Sequence, residues 1–281
     1  MTLRLAEIGA RIEGVEQLGS VVNAMRGIAA ARAQQARTQV AAVDSYAATI
    51  ADAIGRALAL MPSPPGTGQA EPSRPALVVF AAEQGFAGAF SEHVFASLGD
   101  DLAGASLFLV GTRAATLLAE RGVVPEWRGA MPSHSAGIPK LADQVSEALY
   151  AGIAKGEIAR LEVVFTQWDP GRAARIQRVT LLPLDLSRFP NPDQNNPPLH
   201  NLAPANLLAG LTADFLHAQL CHAALHAFAA ENEARMEAMA AARAQVAHQL
   251  ADLRTSERMV RQEEITAEVI ELAAGASASR A

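Results

Sequence analysis

The sequence predicts a mixed α/β chain: two long terminal helices wound into an antiparallel coiled coil, with a mostly parallel α/β domain inserted between them. Three observations carry this. Between Pro204 and Gly275 there is no proline, and Gly210 is the only interior glycine. From Thr2 to about Leu60 there is again no proline, and apolar residues recur at steps of three and four. The middle of the chain alternates short β-branched runs with helical segments, the pattern of a parallel sheet with crossover helices.

The last segment is rich in Ala, Leu, Gln, Glu and Arg, which lose little rotamer freedom in a helix. About 70 residues at 1.5 Å each span roughly 105 Å. A compact chain of this size is only about 50 Å across, so the helix outruns any globule it belongs to and needs a partner along its length. The first segment supplies one. Its seam reads Leu5, Ile8, Ile12, Val15, Leu18, Val22, Met25 and Ala29, then Val40, Val43, Ile50, Ile54 and Leu58. The two successive threes at Ile12, Val15 and Leu18 predict a local stammer. Gly9, Gly14, Gly19 and Gly27 each cost about 1 kcal/mol against alanine, which predicts close approach of another helix. From Ala29 to Ala36 the seam is nearly all alanine, favouring thin, tight packing.

Met61 to Pro75, rich in Pro, Gly and Ser, reads as a linker. Strands follow at 76–82, 106–110, 123–127, 161–168 and 176–184, with helices from about Ser91, over 112–121 and over 138–155. Asp169-Pro170-Gly171 predicts a tight turn that makes the last two strands antiparallel. A second proline-rich linker, Phe189 to Pro204, leads to the long helix. The expected units are an N-terminal helix over 1–60, a Rossmann-like α/β domain over 76–188 and a C-terminal helix over 204–275.

Composition excludes several function classes. A formal charge of −6 over 281 residues, half of them hydrophobic, leaves no nucleic-acid footprint. One cysteine, Cys221, excludes an internal disulfide framework. No apolar run reaches about 18 residues and no export signal opens the chain. The turn at 84–90 stands where a phosphate loop would, but it lacks three glycines and a lysine-serine pair, so no nucleotide cofactor is expected. His222 and His226 have zinc-compatible i, i+4 spacing, and His217 and Cys221 lie close by. With no acidic ligand nearby in sequence, they read as surface or seam residues. No serine stands in a nucleophile-elbow context, and no catalytic or metal-binding residue is assigned. The charges of the last helix, Glu231, Glu233, Arg235 and Glu237, then 257–271, read as a solvated girdle around a thinning apolar stripe whose support would be another protein.

At both ends the chain resembles the gamma subunit of F-type ATP synthases. The first helix is similar through Ile8, Arg11, Ile12, Val15 and the run from Val22 to Arg32. The last is similar through Glu231 to Met239 with Ala242, Arg261 to Glu271, and Gly275-Ala276. The turn departs, with Gln84-Gly85-Phe86-Ala87-Gly88-Ala89 where the family typically has Arg-Gly-Leu-Cys-Gly-Gly. The resemblance implies the central shaft of a rotary motor, non-catalytic itself and present in one copy. Its partners would be the alpha and beta subunits, the epsilon subunit and the membrane c-ring, on the cytoplasmic face of a bacterial plasma membrane. It implies contact with an acidic loop of a beta subunit through Arg261 and Gln262, helped by Thr266 and Glu268, with Met25 and Arg26 at the matching level of the other helix. Ile265, Val269, Ile270 and Leu272 would form an apolar bearing tip. The competing expectation is a coiled-coil scaffold that self-associates through the long helices.

Overall fold

The computed structural model describes residues 2–61, 74–169, 174–190 and 198–278. Residues 62–73 of the first expected linker, the Pro170-Gly171 turn and residues 191–197 of the second linker lie outside the described residues. By internal contacts the chain divides into two units, one of residues 29–235 and one of residues 1–28 with 236–281. Two helices, α1 (Thr2–Leu58) and α6 (Pro204–Ala278), contribute to both. At 75 residues, α6 is about 112 Å long.

In the unit of residues 29–235 a five-stranded sheet has the order β3-β2-β1-β4-β5. Its strands are β1 (Ala76–Phe80), β2 (Ser106–Val110), β3 (Trp127–Gly129), β4 (Leu161–Gln167) and β5 (Arg175–Leu182). All pairings are parallel except β4 with β5. Between the strands run α2 (Phe90–Leu98), α3 (Asp101–Gly104), α4 (Thr112–Glu120) and α5 (Ile138–Ala154). Every residue of β1 is buried because both faces of the sheet are covered, so the strand reads as one apolar run without alternation. Val78, Phe80, Phe108, Val110, Val163 and Phe165 pack on one face against α5 and α6. Leu77, Val79, Leu107, Leu109 and Val164 pack on the other against α2 and α4.

The third strand is shorter and later than expected. Gly122, at φ 73°, closes α4, where Val123 donates its N–H to the Leu118 carbonyl at 3.0 Å. Val123 is thereby taken up by the helix cap, Pro125 has no N–H to offer, and pairing begins only at Trp127.

Ala29, Ala33 and Ala36 of α1 are fully buried, as the alanine seam requires. Farther along α1, Ala47, Ile50 and Ile54 pack with Phe189 and with Ala218 of α6. There Gly55 is needed: a Cβ would lie 2.5 Å from the Pro190 carbonyl oxygen.

The other unit is an antiparallel helix pair. On α6, Met239, Val246 and Val260 are buried, as is Val22 on α1. The register is set by Gly19 against Val246, by Arg254 with Glu16 at 2.7 Å and by Arg4 with Glu263 at 3.7 Å. The expected stammer is absent. Leu18 is 49% exposed, and the seam runs Leu5, Ile8, Ile12, Val15, Gly19, Val22, a regular alternation of threes and fours. Gly19 is the hole that receives Val246, whose Cγ1 would lie 3.1 Å from an added Cβ. Among the described residues, Gly19 alone of the four glycines expected to permit close approach does so; no described atom lies within 4 Å of a Cβ built at Gly9, Gly14 or Gly27.

Candidate functional site

The residues expected to face a partner sit in the helix-pair unit. Arg261, Gln262, Thr266 and Glu268 are exposed on α6. Arg261 donates to Glu257 one turn back at 3.0 Å, and the Thr266 hydroxyl donates to the Gln262 carbonyl at 2.8 Å. These local bonds hold the side chains along the helix and leave their outer faces open. Ile265, Val269, Ile270 and Leu272 are 55%, 59%, 63% and 75% exposed. Met25 and Arg26 are half-buried on α1, but not level with Arg261. The Arg4–Glu263 pair places the start of α1 beside that stretch, and Met25 lies roughly 30 Å farther along the helix. The six residues expected to act together therefore fall into two groups at different heights along the pair.

A second polar constellation, in the unit of residues 29–235, lies at the carboxyl edge of the sheet. The strand order reverses between β1 and β4, which is where ligands bind in open α/β sheets. Here that place is filled from within. Glu231 of α6 accepts the backbone N–H groups of Glu83 and Gln84, each at 3.2 Å. Arg235, one turn on, donates to Glu231 at 2.5 Å, to the carbonyls of Gln84 and Gly85 at 3.3 and 3.2 Å, and to the Asn232 side chain at 3.1 Å. Glu231, Asn232 and Arg235 are all buried. The Glu83 carboxylate accepts from the Thr112 N–H and hydroxyl and from the Met131 N–H, at 2.9, 2.7 and 2.8 Å. The loops after β1, β2 and β3 are thus joined.

These are the residues that sequence reasoning misplaced. Glu231 and Arg235 read as part of a solvated girdle, and Glu233 also has a partner: it pairs with Arg37, whose guanidinium lies 3.9 Å over the Trp168 ring. The available signal was their i, i+4 spacing within an alanine-rich stretch, since a salt-bridged pair flanked by small apolar residues suits a buried helix face.

His217 and His222 are seam residues with carboxylate partners. His222 Nδ1 lies 2.7 Å from Asp44, and His217 Nε2 lies 3.1 Å from Asp143. His226 is buried with its Nδ1 unpartnered, and burial, then the neighbouring His222, lowers its pKa. Cys221 is pushed up to about 12, chiefly by burial and then by Asp143, so its thiol stays protonated and unreactive. Among the described residues, no group of three or more His, Cys, Asp or Glu is placed to hold a metal.

The chain thus pairs its terminal helices antiparallel, and the ligand crevice of its α/β domain is closed by its own side chains. The comparisons with known proteins give its family. The family model described as ATP synthase matches residues 4–278, and the chain belongs to this family. It is similar to the ATP synthase gamma chain of Parafrankia sp. (strain EAN1pec), 28% identical over 99% of this chain and 98% of the relative. Two solved structures share its fold. One, of Euglena gracilis mitochondrial ATP synthase (OSCP/F1/c-ring), has a TM-score of 0.72 at 14% identity and covers 99% of this chain and 95% of its own. The other, of the rotor of that synthase, has a TM-score of 0.67 at 12% identity and covers 94% and 100%. The family and these likenesses support a rotary shaft role for the chain. Catalysis lies in the beta subunits.

Proposed function

We propose that the helix pair of this chain turns inside the ring of alpha and beta subunits with the C-terminal end of α6 deepest. Arg261 and Gln262 meet an acidic loop of a beta subunit there, with Thr266 and Glu268 completing the contact, and Met25 and Arg26 form a separate contact about 30 Å away. The α/β domain contacts the epsilon subunit and the c-ring, and the complex sits on the cytoplasmic face of a bacterial plasma membrane. No described helix is long and apolar enough to cross a membrane.

The observation that carries this reading is the exposure of Ile265, Val269, Ile270 and Leu272. Burying one such side chain contributes about 1.5–3 kcal/mol, so four in a row on a helix end call for a surrounding surface. α6 runs about 22 Å beyond its Arg4–Glu263 pair, and a lone helix of that length is marginal in water. Apolar side chains make few directional bonds and let a shaft slide; a guanidinium and an amide make directional ones and hold it at preferred angles.

Replacing Arg261 and Gln262 together by alanine is expected to slow ion-driven ATP synthesis severalfold in the assembled complex, with the isolated chain folded as before. Equal synthesis rates in wild-type and doubly substituted complexes would remove Arg261 and Gln262 from the contact.

A further inference from the structure

We propose that Glu231 and Arg235 are a torque anchor: positioning residues that key α6 to the loop after β1, so that helix and sheet turn as one body. The proposal rests on the shaft role of the chain and adds where within the chain the load is carried.

From Ala223 to Asn232 every residue of α6 is buried. Five of those ten residues, Ala223, Ala224, Ala227, Ala229 and Ala230, are alanines, set among the larger Leu225, His226 and Phe228. Helices resist sliding and turning against their neighbours through ridges of side chains seated in grooves, and the alanine positions of this stretch offer only shallow ones. Apolar burial also has no direction of its own. It holds this stretch of α6 in its channel, and the alanine positions add little resistance to rotation about the helix axis.

The polar bonds are directional, and they lie off the axis. Glu231 grips two successive amides of the loop, and Arg235 grips the two carbonyls at Gln84 and Gly85. Arg235 also binds the Glu231 carboxylate, and Asn232, itself bonded to the Phe228 carbonyl at 2.8 Å, supports it from the side. A turn of α6 relative to the sheet breaks several bonds at once and strips the buried Glu231–Arg235 pair of its partners in the loop, leaving buried polar groups unsatisfied. The loop is stiff on its other side, because Glu83 ties it to Thr112 and Met131. The same bonds hold the turn in which Phe86, 68% exposed, takes φ 62°, a conformation that a bulky residue keeps only when its surroundings impose it.

The test compares assembled complexes carrying E231Q/R235M or R235K with wild type, in single-molecule ATP-driven rotation at low and high viscous load. A merely structural role lowers assembly yield or thermal stability and leaves the load dependence of each assembled motor as in wild type. The anchor predicts that E231Q/R235M motors lose at least threefold more speed than wild type between low and high load. R235K, which keeps the charge but not the fork that reaches two carbonyls, falls between them. Should E231Q/R235M fail to assemble, R235K alone decides. Load dependence equal to wild type in the assembled variants overturns the anchor. Absence of rotation in the wild-type complex would instead count against the shaft role.

Discussion

At the scale of single residues, His226 gives the clearest pH prediction. Its folded pKa lies below the ordinary value of 6.5, first because of burial and next because of His222. Below about pH 6.5 the unfolded chain therefore binds a proton that the folded chain refuses, so the stability held above that pH is lost as pH falls toward the folded pKa. Chemical denaturation of the isolated chain between pH 7 and 5 is expected to show stability falling more steeply in wild type than in H226Q, by up to about 1.4 kcal/mol per pH unit. Parallel slopes would mean that His226 takes up its proton equally in both states. Glu162 works in the acid range. Burial raises its pKa, but bonds from Arg178 and Arg160 outweigh burial and leave it lowered, so its contribution persists above the ordinary carboxylate range and is lost as pH falls through the folded value. Little of this was legible beforehand. Histidines at 222 and 226 could be placed on one helix face, but Asp44, the partner of His222, arrives from the far end of the chain.

At the scale of elements, the α1–α6 pairing turns on Gly19. G9A, G14A and G27A are each expected to stabilise the isolated chain by about 0.5–1 kcal/mol, since alanine replaces a helix-interior glycine in open space. G19A is expected to gain none of this, because its Cβ would crowd Val246 Cγ1 at 3.1 Å. Denaturant midpoints of the four variants decide, and a G19A gain equal to the others would show that Val246 moves aside freely. The strands were readable from their apolar runs, and the antiparallel β4–β5 pair from its turn residues. The register of the coiled coil was not. Leu18 and Gly19 are neighbours in the chain, and composition alone favours the leucine for the seam. The facing residue on α6 decides, because Val246 needs a hole and the glycine provides it.

At the scale of the whole molecule, the rotor role requires a single copy, since a shaft turning inside a ring has room for one, whereas a self-associating scaffold would carry two or more. Native mass spectrometry of the intact complex is expected to find one copy of this chain per complex. Two copies would contradict a central position. What the amino-acid sequence determined alone was the class of each segment and the family, because periodicity, proline placement and the terminal motifs are local properties of the chain. Which charges are buried was decided only by the tertiary structure. Glu231 meets the Gln84 amide across 147 residues, and its carboxylate is solvated or a buried anchor according to whether that loop arrives. Likewise, antiparallel registry set Met25 and Arg261 at different heights, because it is fixed by facing side chains and not by either helix alone.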